Sequence, residues 1–193
     1  TSGQDLNESK SSQDLIEEAL KIAADADCVL FIGGLNKSPH QDCEDTDRIS
    51  LNLPYGQDDL IESLVKVNPN LVVINISGNA VAMPWVDKVP AIVQAWYLGS
   101  QAGNIIAKII AGDVNPSGKL PFTFPARIED NSAYAMGEYP GNKEQLSVST
   151  GRGDTIRCTY YDDIFVGYRW ADKQTKTKPL FAFGHGLSYT TFE

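Results

Sequence analysis

Four carboxylates, Asp42, Glu44, Asp45 and Asp47, fall within six residues, shortly after an apolar run that ends in Gly33 and Gly34. Crowded carboxyl groups repel one another. Repulsion joined to partial burial raises a carboxyl pKa and keeps a glutamic acid protonated near neutrality, where it can act as a general acid. From composition alone, a solvated acidic loop is the plainer reading. Clustered oxygens also suit a hard cation, but the spacing is poor. With Asp42 as the first ligand of a helix-loop-helix calcium loop, position six is Asp47 instead of glycine, and position twelve is Leu53 instead of glutamate. No metal site is expected.

Other motifs carry less. In GDVNPSGKL at 112–120, five residues separate Gly112 from Gly118 and Leu120 stands where a phosphate loop needs Ser or Thr, so a turn is the better reading. His40 and His185 lie far apart and form no triad or ligand pair. Arg152-Gly153-Asp154 matches an adhesion tripeptide, but short motifs recur by chance and no disulfide-stapled loop displays it. Asn7, Asn36 and Asn75 open N-x-Ser sequons, of which Asn75 falls inside an expected buried strand. Cys28, Cys43 and Cys158 are too few for a disulfide framework and make no CxxC pair.

The elements that must position the acidic loop follow from periodicity. Leu15, Ile16, Ala19, Leu20 and Ala23 predict a helix over 12–25, behind Ser11 and Asp14. CVLFIGG at 28–34 reads as a buried strand and QDDLIESLVKV at 57–67 as an amphipathic helix with Asp58 and Asp59 at its positive end. LVVINIS at 71–77 and AIVQAW at 91–96 read as strands, with a helical turn at 84–87 between them and a helix over 100–112 after them. KLPFTF at 119–124 is expected as a fourth strand. Near-continuous apolar strands separated by helices imply a mostly parallel α/β sheet covered on both faces, with right-handed crossovers. In such a sheet, loops at the carboxyl ends of the strands share a rim where ligands bind, so the loops after Gly33, Ser77 and Trp96 should meet. Residues 126–160 read as a long irregular excursion, followed by two alternating segments expected as strands, 163–170 and 187–192, and an irregular turn between them.

Composition bounds the partners. The 193 residues carry 25 acidic against 16 basic side chains, a net charge of −9, and 42% are hydrophobic. A disordered chain lacks that much apolar surface. Nucleic acid and anionic membranes need clustered Lys and Arg, and no basic stripe exists. The first residues, TSGQDLNESK, form no signal peptide, and no apolar stretch is long enough for a membrane span.

Taken in order, ADADCVLFIGG, EDTDRISLNLP with Gln57, NISGNAVAMPWVDKVPAIVQAWYLG, GNIIAKIIAGDVNPSGKLPFTFP, IFVGYRW and PLFAFGHGLSYTTFE resemble the second domain of family 3 glycoside hydrolases, the β-glucosidases and β-xylosidases. The resemblance covers almost all of residues 1–193. It implies an α/β sandwich abutting an N-terminal barrel of the same polypeptide, in enzymes that cleave β-glycosides with retention and need no cofactor. Glu44 matches the family's acid/base position in a pattern E-G-x-D-R, with Asp45 in place of the glycine. Asp47 and Arg48 match the pair expected to hold the loop through a charge-assisted hydrogen bond.

The family's nucleophile is an aspartate of the barrel in a Ser-Asp-Trp context, a triplet this sequence does not contain, so the isolated chain is expected to be inactive. The resemblance also implies a further strand–helix segment before the first helix here, and, by kinship alone, a secreted or periplasmic setting. The alternative is a carbohydrate-binding or assembly module without catalysis, which could use Trp96, Tyr97, Tyr139, Tyr160 and Tyr161. Substrate-binding residues, the sugar and the oligomeric state are not assigned by the sequence.

Overall fold

The computed structural model describes residues 12–44, 46–48, 50–139, 159–174 and 177–191. They divide into two compact units, Thr1–Val114 and Asn115–Glu193.

The first unit runs α1 (Ser12–Ala24), β1 (Val29–Gly34), α2 (Gln57–Val67), β2 (Leu71–Ile76), β3 (Ala91–Gln94), a 3-10 turn at Gly99–Gln101 and α3 (Ala102–Ile110). Each lies within a few residues of its expected span. The three strands form one parallel sheet in the order β1-β2-β3, with Phe31 opposite Val73 and Val73 opposite Ile92. Alternate β2 side chains point to opposite faces. On one face Ile74 packs with Ala95 and Ile106 of α3, ringed by Val72, Ile76, Val93 and Leu98. Leu71, Val73 and Asn75 alternate to the other face and are fully buried. α2 turns Ile61 and Leu64 inward and packs against β1 and α1. Leu30 and Ile32 of β1, an edge strand here, remain exposed.

Side-chain amides do the joinery where the backbone runs out of partners. Gln57 acts as a substitute strand at the end of β1: its Oε1 accepts the Gly34 amide at 2.7 Å, and its Nε2 donates to the Gly34 carbonyl at 2.9 Å. Asn68 donates to the carbonyls of Ala23 and Ala26 at 2.8 and 2.7 Å, tying the end of α2 to the end of α1. Buried Asn75 donates to Ser77 Oγ at 3.0 Å and Gln94 Oε1 at 2.6 Å, which joins β2 to β3. These bonds satisfy donors and backbone groups whose unpaired burial would cost about 1–3 kcal/mol each, while Asn75 Oδ1 is buried without a partner among the described residues. Asn75 is 1% exposed, so its sequon is buried as the sequence suggested.

The second unit contains a 3-10 turn at Ile128–Asp130, α4 (Ser132–Ala135) and α5 (Tyr168–Lys173). Phe124 is buried and meets Phe122 and Phe181 at ring separations of 5.4 and 6.3 Å. The Trp170 indole donates to the Asp130 carbonyl at 3.0 Å.

Three strand expectations fail in this unit. Residues 119–124 form no strand beyond a single antiparallel bridge, Phe124 to Phe181, because Pro121 interrupts the run and has no amide to give a ladder. Within 163–170, Gly167 takes a positive φ of 60° and the chain turns into α5. Residues 187–191 make no ladder; the Asn115 side chain instead accepts the Tyr189 amide at 2.8 Å and donates to Thr190 Oγ1 at 2.8 Å. The excursion also carries the two short helical elements at 128–135, where none was expected. Cys158 and Arg152-Gly153-Asp154 lie outside the described residues. Among those described, no helix is long and apolar enough to cross a membrane.

Gly34 is the tightest point of the sheet, with φ at 136° and a would-be Cβ only 2.0 Å from the Ile76 carbonyl oxygen. Gly34→Ala is expected to cost at least about 1–3 kcal/mol through backbone strain alone. Chemical denaturation checks this, and an unchanged midpoint contradicts the register given for β1 and β2.

Candidate functional site

At the carboxyl rim of the sheet, the chain leaves β1 through residues 35–56, β2 through 77–90 and β3 through 95–98. The first of these loops carries the acidic cluster and is folded on itself. Its start is fixed by the Leu35 amide donating to Ile76 at 2.8 Å. Asn36 Oδ1 accepts the Ser38 amide at 2.7 Å and its carbonyl accepts the Asp42 amide at 3.0 Å. Gln41, buried, accepts the Asn36 amide at 3.0 Å and reaches the Tyr55 hydroxyl at 2.8 Å. His40 takes a left-handed φ of 62°, and its Nδ1 lies 3.1 Å from the Asp47 carbonyl oxygen. Cys43 Sγ lies 2.9 Å from Thr46 Oγ1, a contact that lowers the thiol pKa.

Two side chains then tie this loop to its neighbours. Asp42 Oδ2 accepts the Gly78 amide at 2.6 Å and the Tyr97 hydroxyl at 2.9 Å, joining all three rim loops at one oxygen. Arg48 Nη1 donates to the Ala80 carbonyl at 2.7 Å, and the Ala82 amide donates to Leu51 at 2.7 Å. The remaining terminal atoms, Asp42 Oδ1 and Arg48 Nη2, are both buried and unpaired among the described residues.

Burial pushes the Arg48 guanidinium below its ordinary value, opposed by the negative charge of Asp42. Burial, then the hydrogen bond to Asp42, pushes the Tyr97 hydroxyl far above an ordinary phenol, so it stays a donor. Below the rim, fully buried Trp85 donates to Asp58 Oδ1 at 2.8 Å while Asp58 Oδ2 accepts the Leu53 amide at 3.0 Å, which anchors the loop's far end to α2. Burial raises the Asp58 pKa in spite of those bonds.

Glu44 is exposed at the crest of the first loop, and no hydrogen bond to its carboxylate is made among the described residues. Asp47 is likewise exposed, its carbonyl rather than its carboxylate meeting His40. Asp45 lies outside the described residues. The three rim loops therefore meet as the parallel topology requires. The three described carboxylates divide: Asp42 faces inward as an acceptor, while Glu44 and Asp47 face solvent.

The sequence singled out Asp42 only as a member of the acidic cluster and offered Tyr97 only to the alternative, carbohydrate-binding reading. The available signal was position, since Asp42 stands two residues before Glu44 and Tyr97 follows the last apolar residues of β3. Trp96 is half-buried with a left-handed φ of 56°. Tyr139, Tyr160 and Tyr161 belong to the second unit, where Glu138 Oε1 accepts the Tyr161 amide.

Comparison with known proteins supplies the context. The model of the glycosyl hydrolase family 3 C-terminal domain matches residues 2–189. A β-glucosidase of Bacteroides ovatus, BoGH3A, is 52% identical over 181 residues, covering 93% of this chain and 22% of that protein. β-Glucosidase B of Emericella nidulans is 44% identical over 193 residues, covering 97% of this chain and 22% of its own length. The chain thus spans about a fifth of the curated relatives it matches. Among solved structures, a Kluyveromyces marxianus β-glucosidase in complex with glucose superposes with a TM-score of 0.78 at 38% identity, over 95% of this chain and 20% of that one. The Streptomyces venezuelae β-glucosidase DesR, in complex with D-glucose, does so with a TM-score of 0.80 at 38% identity, over 93% and 21%.

Arg48→Met keeps the alkyl stem and removes the donor to Ala80. A charged hydrogen bond of this kind contributes about 1.5–3 kcal/mol, so stability by chemical denaturation is expected to fall by that order. An unchanged midpoint removes Arg48 from the rim.

Proposed function

The chain belongs to the glycosyl hydrolase family 3 C-terminal domain family, and we propose that, within a longer polypeptide, it supplies the general acid/base of a retaining β-glycosidase acting on β-linked glucosides or xylosides. The observation that carries this reading is the setting of Glu44. Its carboxyl group is exposed at the carboxyl rim of a parallel sheet, where ligands of such sheets bind, on a loop whose flanks are tied down by Asp42 and Arg48. The names of the relatives, all β-glucosidases, support the substrate class.

Retaining hydrolysis uses two carboxyl groups about 5–5.5 Å apart, one as nucleophile and one as acid and then base. Glu44 has the second part. Its proton goes to the glycosidic oxygen as the bond to the anomeric carbon breaks and the nucleophile's carboxylate bonds to that carbon. Glu44, now ionised, takes a proton from the water that releases the sugar from the nucleophile. The nucleophile is an aspartate of an N-terminal barrel outside this chain, so residues 1–193 alone are inactive. Arg48 acts on loop geometry through Ala80, and Asp47 contributes its carbonyl to the His40 ring.

Glu44→Gln in the full-length protein keeps the shape of the side chain and removes the transferable proton. Turnover of an alkyl β-glycoside is expected to drop roughly a hundredfold to ten-thousandfold with unfolding behaviour unaltered. Unchanged turnover would leave the domain as a binding or assembly module.

A further inference from the structure

We propose that Asp42, together with Tyr97 and the Gly78 amide, is the device that positions the Glu44 carboxyl group, an inference that rests on the acid/base reading of Glu44. Glu44 reaches into solvent with no hydrogen bond to its carboxylate among the described residues, so its location is set by its backbone. That backbone is held two residues upstream, at a single oxygen with two donors: Gly78 N at 2.6 Å from the second rim loop and Tyr97 Oη at 2.9 Å from the third. Downstream, Cys43 and Thr46 close a short turn across Glu44, and Arg48 fixes the exit to Ala80.

The two donors are built for the purpose. Gly78 has no side chain where one would crowd the site: a Cβ would sit 3.1 Å from the Tyr97 ring and 3.3 Å from Asp42 Oδ2. Tyr97 follows Trp96, whose left-handed backbone is a conformation that costs of order 1–3 kcal/mol and persists only where its surroundings demand it. The Tyr97 ring also carries the Lys37 ammonium 5.2 Å from its centroid, which ties the start of the first loop to the same side chain. Loss of either strand of this tie lets Glu44 drift without altering its chemistry, and a misplacement of about 1 Å at a reacting group costs on the order of a hundredfold in rate.

Acid assistance matters only when the leaving group is poor. A dinitrophenolate departs without a proton, whereas an alkoxide or a sugar hydroxyl does not. A positioning defect therefore has a signature that general loss of structure lacks. In the full-length protein, Tyr97→Phe, Asp42→Ala and Glu44→Gln are compared on the dinitrophenyl and alkyl β-glycosides of whichever sugar the protein cleaves, using kcat/KM. Tyr97→Phe, which removes one oxygen from a part-exposed ring and keeps the fold if Asp42→Ala does not, decides the matter. It is expected to depress the alkyl glycoside about tenfold or more while changing the dinitrophenyl glycoside by less than about twofold. Should Glu44→Gln give no contrast between the two substrates, the acid/base reading itself falls. If Glu44→Gln gives the contrast but Tyr97→Phe depresses both substrates equally, or neither, the positioning role is overturned.

Discussion

The Asp42 carboxylate accepts one donor from the loop after β2 and another from the loop after β3, while it belongs to the loop after β1. Three segments that are remote in sequence thereby meet at one oxygen. The arrangement is sound because an ionised acceptor makes shorter and stronger hydrogen bonds than a neutral one, and because the nearby Arg48 charge offsets the cost of drawing a carboxylate partly out of water. Without this junction the first loop keeps its internal hydrogen bonds and the ties of Arg48 and Leu51 to the second loop, but the hydrogen bond that joins it to the third is gone.

The junction in turn depends on a register. Parallel pairing of Gly34 with Ile76 and of Asn75 with Gln94 brings the three strand ends to one level. Two amide side chains enforce it: Gln57 bonds both backbone groups of Gly34, and Asn75 spans from Ser77 to Gln94. A slip of one residue would turn Val72, Ile74 and Ile76 away from α3, so the apolar faces and the polar ties specify the same alignment. Local pattern and long-range bonding agree here, which is the condition under which a sequence specifies one structure.

That agreement explains what could be read beforehand. α1, β1, α2, β2, β3 and α3 were legible because each is long or strongly periodic, and the meeting of the rim loops followed from topology. Glu44 was singled out by its motif, and the structure places it exposed on the first rim loop. Residues 119–124, 163–170 and 187–191 were misread because a run of alternating or apolar residues specifies a strand only if a partner ladder exists. There, Pro121 withholds a donor, Gly167 turns the chain with a positive φ, and the Asn115 side chain takes the place of a strand. The part played by Asp42 was invisible for a different reason. Its donors stand 36 and 55 residues away, and no local pattern encodes contacts at that range. Burial, too, does not follow from charge: of two aspartates five residues apart in the same loop, Asp42 is inward and Asp47 outward.

The family assignment and the rim geometry come together on Glu44, a carboxyl group presented to solvent from a loop that Asp42 and Arg48 tie to its neighbours. The most direct measurement replaces it by alanine in the full-length protein and supplies azide during cleavage of a dinitrophenyl β-glycoside. If Glu44 is the acid/base of a retaining mechanism, the glycosyl enzyme forms but waits for water, and azide, which needs no base, restores turnover and yields the β-glycosyl azide. Failure of azide to raise the rate, or an azide product of inverted α configuration, would contradict it.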